Sequence, residues 1–173
     1  MKKLLRGSLW IAMTTCLAVC SPARAGLLSV TCNVMPPPSV NFGTYDPSSG
    51  MSDDVTGGIT VNCNGTLTLF GSNTVNASIK LSPGKAGNFS PRRMSGLGSG
   101  GLPYNLYTSG SHSVIWGDGT GGSSVLPMTI ALTGILGLLA SGSATATIYG
   151  RIPPGQAVTA GTYSDSILVT VTY

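Results

Sequence analysis

Ionisable side chains are scarce in this 173-residue chain: Lys and Arg total 9, Asp and Glu total 5, and His112 is the single histidine. That leaves little material for acid–base catalysis, which needs titratable groups in mutual reach. Aromatic residues are few as well, at 6% of the chain. No uninterrupted apolar run reaches the ~20 residues of a membrane-spanning helix, and no segment carries a capped amphipathic helical pattern. What is abundant is glycine, with 25 residues, beside 11 prolines and a hydrophobic share of 42%. A chain of this length and composition makes one turn-rich globular domain, without long disorder.

Lys2, Lys3 and Arg6 precede an apolar stretch from Leu9 to Val19, and Ala23-Arg24-Ala25 supplies a small-x-small cleavage site. Residues 1–25 therefore read as a secretory signal peptide, and residues 26–173 as the mature domain. The competing transmembrane anchor fails on length, and Leu17-Ala18-Val19-Cys20 is an imperfect lipid-attachment pattern. Without residues 1–25, five positive charges (Lys80, Lys85, Arg92, Arg93, Arg151) face five negative ones (Asp46, Asp53, Asp54, Asp118, Asp165). The exported chain is formally neutral and has no basic face for nucleic acid.

Cys16 and Cys20 leave with the signal, so Cys32 and Cys63 are the pair that meets an oxidising compartment. Two such cysteines form one disulfide, worth roughly 3–4 kcal/mol in the chain-entropy account for a loop of about 30 residues. A metal site lacks ligands, and no cofactor is expected.

A period of two marks three segments. Leu28, Val30, Cys32 and Val34 alternate with polar residues, as do Val75, Ala77, Ile79 and Leu81, and then Ile167, Val169, Val171 and Tyr173. In Ile59-Thr60-Val61-Asn62-Cys63 the parity puts Cys63 on the apolar face, as it puts Cys32, so the two sulfurs can meet. Weaker strands are expected at 102–108, 113–116, 128–132 and 144–152. About eight short strands with frequent turns predict an all-β, immunoglobulin-like antiparallel β-sandwich.

The stretch 128–140 is the most apolar of the mature chain. It reads as a buried strand with its turn; the alternative is an exposed apolar loop at Ile135, Leu136, Leu138 and Leu139 that touches a partner. Gly117 to Gly122 lacks the Lys and helix of a phosphate cradle and reads as a turn. Asp53-Asp54 reads as a solvated loop, and His112, flanked by serines, as a surface residue.

The C-terminal third carries Tyr149-Gly150-Arg151-Ile152-Pro153, then Gly155-Gln156, then Ala160-Gly161-Thr162-Tyr163-Ser164-Asp165 and an alternating terminal strand. With Phe42-Gly43-Thr44-Tyr45-Asp46-Pro47 and the two cysteines, this ordered set resembles the spore coat protein U family, which includes pilin subunits of archaic chaperone–usher fimbriae. The resemblance implies a sandwich that is incomplete because its last strand is missing and is supplied as a donor strand. A periplasmic chaperone would fill the groove first, and a neighbouring fimbrial subunit would replace it after passage through the outer-membrane usher.

Ile167, Val169, Val171 and Tyr173 would then form the assembly edge. Only Gly26 to Thr31 precede Cys32, few for a donor extension, so either the subunit sits at an end or tip of the fibre, or the true start or the family role differs. The sequence thus reads as a non-enzymatic structural or adhesive subunit exported through the periplasm to a surface fimbria. The alternative is a monomeric secreted module of the same fold, in a protective coat; a hydrolase on this scaffold lacks a recognisable catalytic set.

The disulfide is directly checkable. Mass spectrometry of the alkylated mature chain should show no alkyl group before reduction and two after it.

Overall fold

The computed structural model describes residues 29–35, 38–66, 73–96, 100–134 and 139–173. The expected signal at 1–25, Leu28, and Ile135, Leu136 and Leu138 of the apolar stretch lie outside them. The described residues contain no helix and nine strands: β1 Val30–Val34, β2 Asp53–Thr66, β3 Thr74–Leu81, β4 Arg92–Met94, β5 Leu102–Tyr107, β6 Leu126–Ala131, β7 Thr133–Gly134, β8 Leu139–Ile152 and β9 Val169–Thr172. One sheet has the order β1-β2-β8-β5-β4, with β7 also on β8; the second has the order β6-β3-β9. Every strand pairing is antiparallel.

The spine is the ladder between β2 and β8, each 14 residues long, in register from Asp53↔Ile152 to Thr66↔Leu139. Alternation makes it a strand pair: Ile59, Val61 and Cys63 point inward and are buried, whereas Thr60, Asn62 and Asn64 lie on the outer side. On β8 the inward set is Ala140, Gly142, Ala144, Ala146, Ile148, Gly150 and Ile152. Its small members have a cause. A Cβ on Gly142 would sit 2.0 Å from the Ala131 carbonyl oxygen, because β6 passes directly over that point. From there the chain runs through fully buried Leu132 into β7, which pairs with β8 at Thr133↔Ser141. One side of the sandwich is closed by this crossing strand.

Both sheets contribute to a single core, centred on Ile59 and Val61 of the large sheet, Ile79 and Ile130 of the small one, and Trp116. Each such side chain contributes about 1.5–3 kcal/mol by leaving water. The indole N–H of Trp116 donates to the Ile79 carbonyl at 3.0 Å, so its one polar atom is satisfied.

Arg92 is fully buried. Its guanidinium donates to the Ser82 carbonyl from Nε (3.2 Å) and Nη2 (3.0 Å), to the Trp116 carbonyl from Nη2 (2.7 Å), and to Asn105 Oδ1 from Nη1 (2.8 Å). Its carbon centre lies 5.0 Å from the Phe89 ring centroid. Burial pushes its pKa down, while the more distant Tyr104, Asp165 and Asp118 push it back up. One side chain thus ties the end of β3, β4, β5 and the segment after Ile115 together.

Several elements differ from the sequence reading. β2 starts six residues before Ile59 and β8 five before Ala144, because Gly57, Gly58 and Gly142 are strand residues here and not turns. Residues 113–116 form no continuous strand, only the isolated bridges Tyr107↔Ile115 and Trp116↔Ser124. Asp54 is on β2 and paired with Arg151, and the His112 side chain is only 9% exposed. The loop at 117–122 is a turn, with the Ser123 N–H on the Thr120 carbonyl at 2.9 Å.

Replacing Arg92 with Met leaves the buried Trp116 carbonyl and the half-buried Ser82 carbonyl without this donor, and Asn105 Oδ1 with the Leu106 N–H alone, at about 1–3 kcal/mol for each carbonyl orphaned. Urea unfolding followed by Trp116 fluorescence should show Arg92→Met losing about 3 kcal/mol, and exposed Arg93→Met changing by no more than about 0.5 kcal/mol.

Candidate assembly groove

Opposite the closed side, two irregular segments bound an opening into the core. The first is residues 38–47, which turns Val40, Phe42 and Tyr45 against the core. Two inward-facing glycines make room. A Cβ on Gly150 would lie 2.8 Å from Phe42 Cζ and 3.2 Å from Val40 Cγ1, and one on Gly57 would lie 3.0 Å from the Ser39 carbonyl oxygen. Gly43 then turns the chain with φ +71°, its N–H capped by Asn41 Oδ1 at 2.9 Å. The Tyr45 hydroxyl donates to the Pro153 carbonyl (3.0 Å) and accepts the Gln156 N–H (2.9 Å). Gln156 Nε2 donates to the carbonyls of Pro103 and Pro153 at 2.9 and 3.0 Å.

The second wall is residues 158–169. Tyr163 donates to the Thr159 carbonyl at 2.6 Å and packs on Gly96, where a Cβ would be 2.5 Å from the ring. Ser164 and Ser95 exchange two backbone hydrogen bonds. Asp165 accepts the Tyr104 hydroxyl at 2.8 Å and the backbone N–H groups of Lys85 (2.9 Å) and Ser166 (2.8 Å). Burial, then the hydrogen bond to Asp165, pushes the Tyr104 phenol up and keeps it a donor. Tyr104 also meets Phe42 edge to face, with centroids 5.9 Å apart at 74°. It therefore touches both walls.

Between the walls lies a groove of about 810 Å³, floored by Leu81, Met94, Leu102, Leu106, Ile148 and Ile152. β9 runs along it, paired on one side with β3 at Leu81↔Val169 and Ile79↔Val171. Among the described residues no strand pairs with its other edge. Ile167 and Val169 line the groove; Val171 is half-buried on the same face, and Leu168, Thr170 and Thr172 are exposed. Tyr173 lies past the end of β9 and is 52% exposed. Chemically this is a trough with an apolar floor and mixed polar and apolar walls, beside a strand edge that no other described strand pairs.

Cys32 and Cys63 are bonded, with Cα atoms 4.1 Å apart as directly opposed residues of β1 and β2. They clamp an edge strand and do not line the groove. Leu139, at the start of β8, is 82% exposed. No group of three or more His, Cys, Asp or Glu that could hold a metal occurs among the described residues. Sequence reading did not assign roles to Gly150, Tyr45, Gln156, Tyr104 and Asp165. A glycine at an inward position between Ile148 and Ile152 was the available signal, since a strand interior rarely keeps one without a close neighbour.

Residues 20–170 match the Spore Coat Protein U domain. The chain belongs to the Spore Coat Protein U domain family. This family is structural, not enzymatic. Protein U of Myxococcus xanthus is 30% identical over 141 residues, which is 78% of this chain and 72% of that protein. Among solved structures, a crystal structure of the CsuC-CsuE chaperone-tip adhesion subunit pre-assembly complex from archaic chaperone-usher Csu pili of Acinetobacter baumannii is 17% identical. It aligns with a TM-score of 0.49 over 84% of this chain and 40% of that one. Of the residues quoted from the sequence, Phe42, Tyr45, Gln156, Tyr163 and Asp165 hold the two walls in this chain.

The fit of Phe42 on bare backbone sets an expected contrast. Gly150→Ala should cost about 1–3 kcal/mol by overpacking. Gly58→Ala, whose Cβ meets only Thr145 Cγ2 at 3.5 Å on the outer face, should be neutral or stabilising by a few tenths. Paired urea melts of the two variants check this.

Proposed function

We propose that this chain is a subunit of a bacterial surface fimbria assembled by the chaperone–usher route, with the groove as the seat of a donor strand. The carrying observation is the apolar-floored trough beside the edge of β9 that no other described strand pairs. An open sheet edge above an exposed core invites aggregation and is usable when a partner adds the strand. β-Augmentation does this, and it is the mode by which chaperones and neighbouring subunits complement pilins. Backbone hydrogen bonds along β9 give affinity, and alternate apolar side chains lying over Leu81, Met94 and Ile152 give register.

In this reading a periplasmic chaperone occupies the groove first, the outer-membrane usher mediates the exchange, and the next subunit's extension replaces the chaperone. The leader at 1–25 directs export and the assembled product stands on the cell surface. Ile167, Val169 and Val171 act as the assembly edge. A second reading, a secreted coat module that works as a monomer, is favoured by the 30% identity to Protein U.

The two readings differ in what the groove needs. An alternating apolar peptide of about ten residues, fused after Tyr173 through a flexible linker, presents itself at a millimolar effective concentration. If the groove takes a strand, the melting temperature of the exported chain should rise by about 8 °C or more and self-association should fall, as for occupancy near a hundredfold over the dissociation constant. An unfused chain that is already monomeric, with a sharp transition that the peptide leaves unchanged, assigns the coat-module reading instead.

A further inference from the structure

A second cavity, of about 440 Å³, opens on the outer side of the large sheet, lined by Asn41, Asp54, Val55, Thr56, His112 and Tyr149. Its size falls in the range of about 300–1,000 Å³ typical of small-molecule sites. Thr56 and Tyr149 are cross-strand partners in β2 and β8, and the neighbouring pair is Asp54↔Arg151. His112 comes from the loop after β5 and holds φ +52° there, its N–H on the Ser109 carbonyl at 3.1 Å. The imidazole stands edge-on to Tyr107 (5.1 Å, 86°) and Tyr149 (6.4 Å, 88°), and its Nε2 is 3.9 Å from Asp54 Oδ1.

The polar groups are fixed before any ligand arrives. Arg151 donates to Asp54 from Nε and Nη2, both at 2.6 Å, in the two-pronged geometry that suits a carboxylate. The guanidinium holds the Asp54 carboxyl below its usual range. Asp54 is neutralised by Arg151, which stands beside the cavity, and no Lys or Arg is among the residues that line it. An anion would find the one guanidinium already committed, and a cation would find the one carboxylate neutralised.

Hydrogen-bonding capacity nonetheless remains. Among the described residues the Thr56 hydroxyl and, beside the lining, Arg151 Nη1 have no protein partner, and Asn41 spends only its Oδ1, on the Gly43 N–H. Beyond the cavity the outer face continues without charge along β2 and β8, as Thr60↔Thr145, Asn62↔Ser143 and Asn64↔Ser141, with the two threonine hydroxyls 2.9 Å apart.

We propose that this cavity binds the terminal ring of an uncharged glycan. A hexopyranose offers hydroxyls that both donate and accept to the Asp54–Arg151 pair, Thr56 and Asn41, and apolar C–H faces to the Tyr149 and His112 rings. It is the ligand class whose neutrality and density of hydroxyls match a charge-compensated, mixed donor and acceptor lining. The row of Thr, Ser and Asn carries further rings of the same chain.

Saturation-transfer NMR on the full exported chain, which tolerates assembled forms, tests this with methyl glycosides of mannose, galactose, glucose and N-acetylglucosamine, and with methyl glucuronide as the charged comparison. At least one neutral glycoside should receive saturation with a dissociation constant of about 1 mM, the strength of a ring of that size at ordinary efficiency per atom. Thr56→Arg, which fills the cavity from an exposed strand position, should weaken that signal at least tenfold with an unchanged melting temperature, and Asn41→Ala should weaken it less. No transfer to any neutral glycoside at about 20 mM, transfer equal in Thr56→Arg, or stronger transfer to the glucuronide would each overturn the proposal.

Discussion

The ring of Phe42 rests on bare backbone at Gly150, and that contact decides where the interior is covered and where it is open. Any side chain at that inward position would lift residues 38–47 away from the large sheet. Held down, the segment brings Tyr45 to Pro153 and Gln156 and turns the other edge of the Phe42 ring toward Tyr104. Tyr104 passes the constraint across the floor, because its hydroxyl is bonded to Asp165 in the opposite wall. The width of the groove is therefore set by a short relay of covalently stiff parts: an aromatic ring on a glycine, a second ring beside it, and a carboxylate with three donors. A wall fastened at several points can stay open above an apolar floor without collapsing onto it.

The elements that sequence reading found are those whose signal is local. Val75, Ala77, Ile79 and Leu81 alternate cleanly and are all buried in β3; the parity of Cys32 and Cys63 foretold a bonded pair; Ile167 and Val169 do face inward. Strands interrupted by glycine were read too short, because Gly57, Gly58 and Gly142 look like turns until a neighbour is seen to occupy the missing side-chain volume. β4, three residues long, has no period to read. The groove was legible as an edge but not as two walls, since Tyr104 and Asp165 meet across 61 positions of chain. Arg92 was invisible for the same reason. Its acceptors are mostly backbone carbonyls, which carry no residue-specific signature at all.

That buried arginine also accounts for how so lightly charged a chain keeps one arrangement at the end of its core. Apolar packing alone tolerates sliding of β3, β4 and β5 past one another, at modest cost. A guanidinium with three acceptor groups at 2.7–3.2 Å does not, because any shift of register strands a charge in a place without water. The polar centre is therefore a source of uniqueness as much as of stability, and it lies under the same strand, β3, on which β9 is laid.

The ladder between β2 and β8 has a consequence in time. Thr60 bonds to Thr145 across 85 residues and Asp54 to Arg151 across 97, so the central pairing closes only after most of the chain exists. Such closures lose chain entropy before any contact rewards them, and folds dominated by them form slowly. Until then the edge of β2 that receives β8 stays open over all 14 residues, with Ile59 and Val61 uncovered. The exposure falls on one of the two strands that later form the spine of the sheet. Burial of Ile59 and Val61 against β8 therefore comes late, while the rest of the chain is still without its spine.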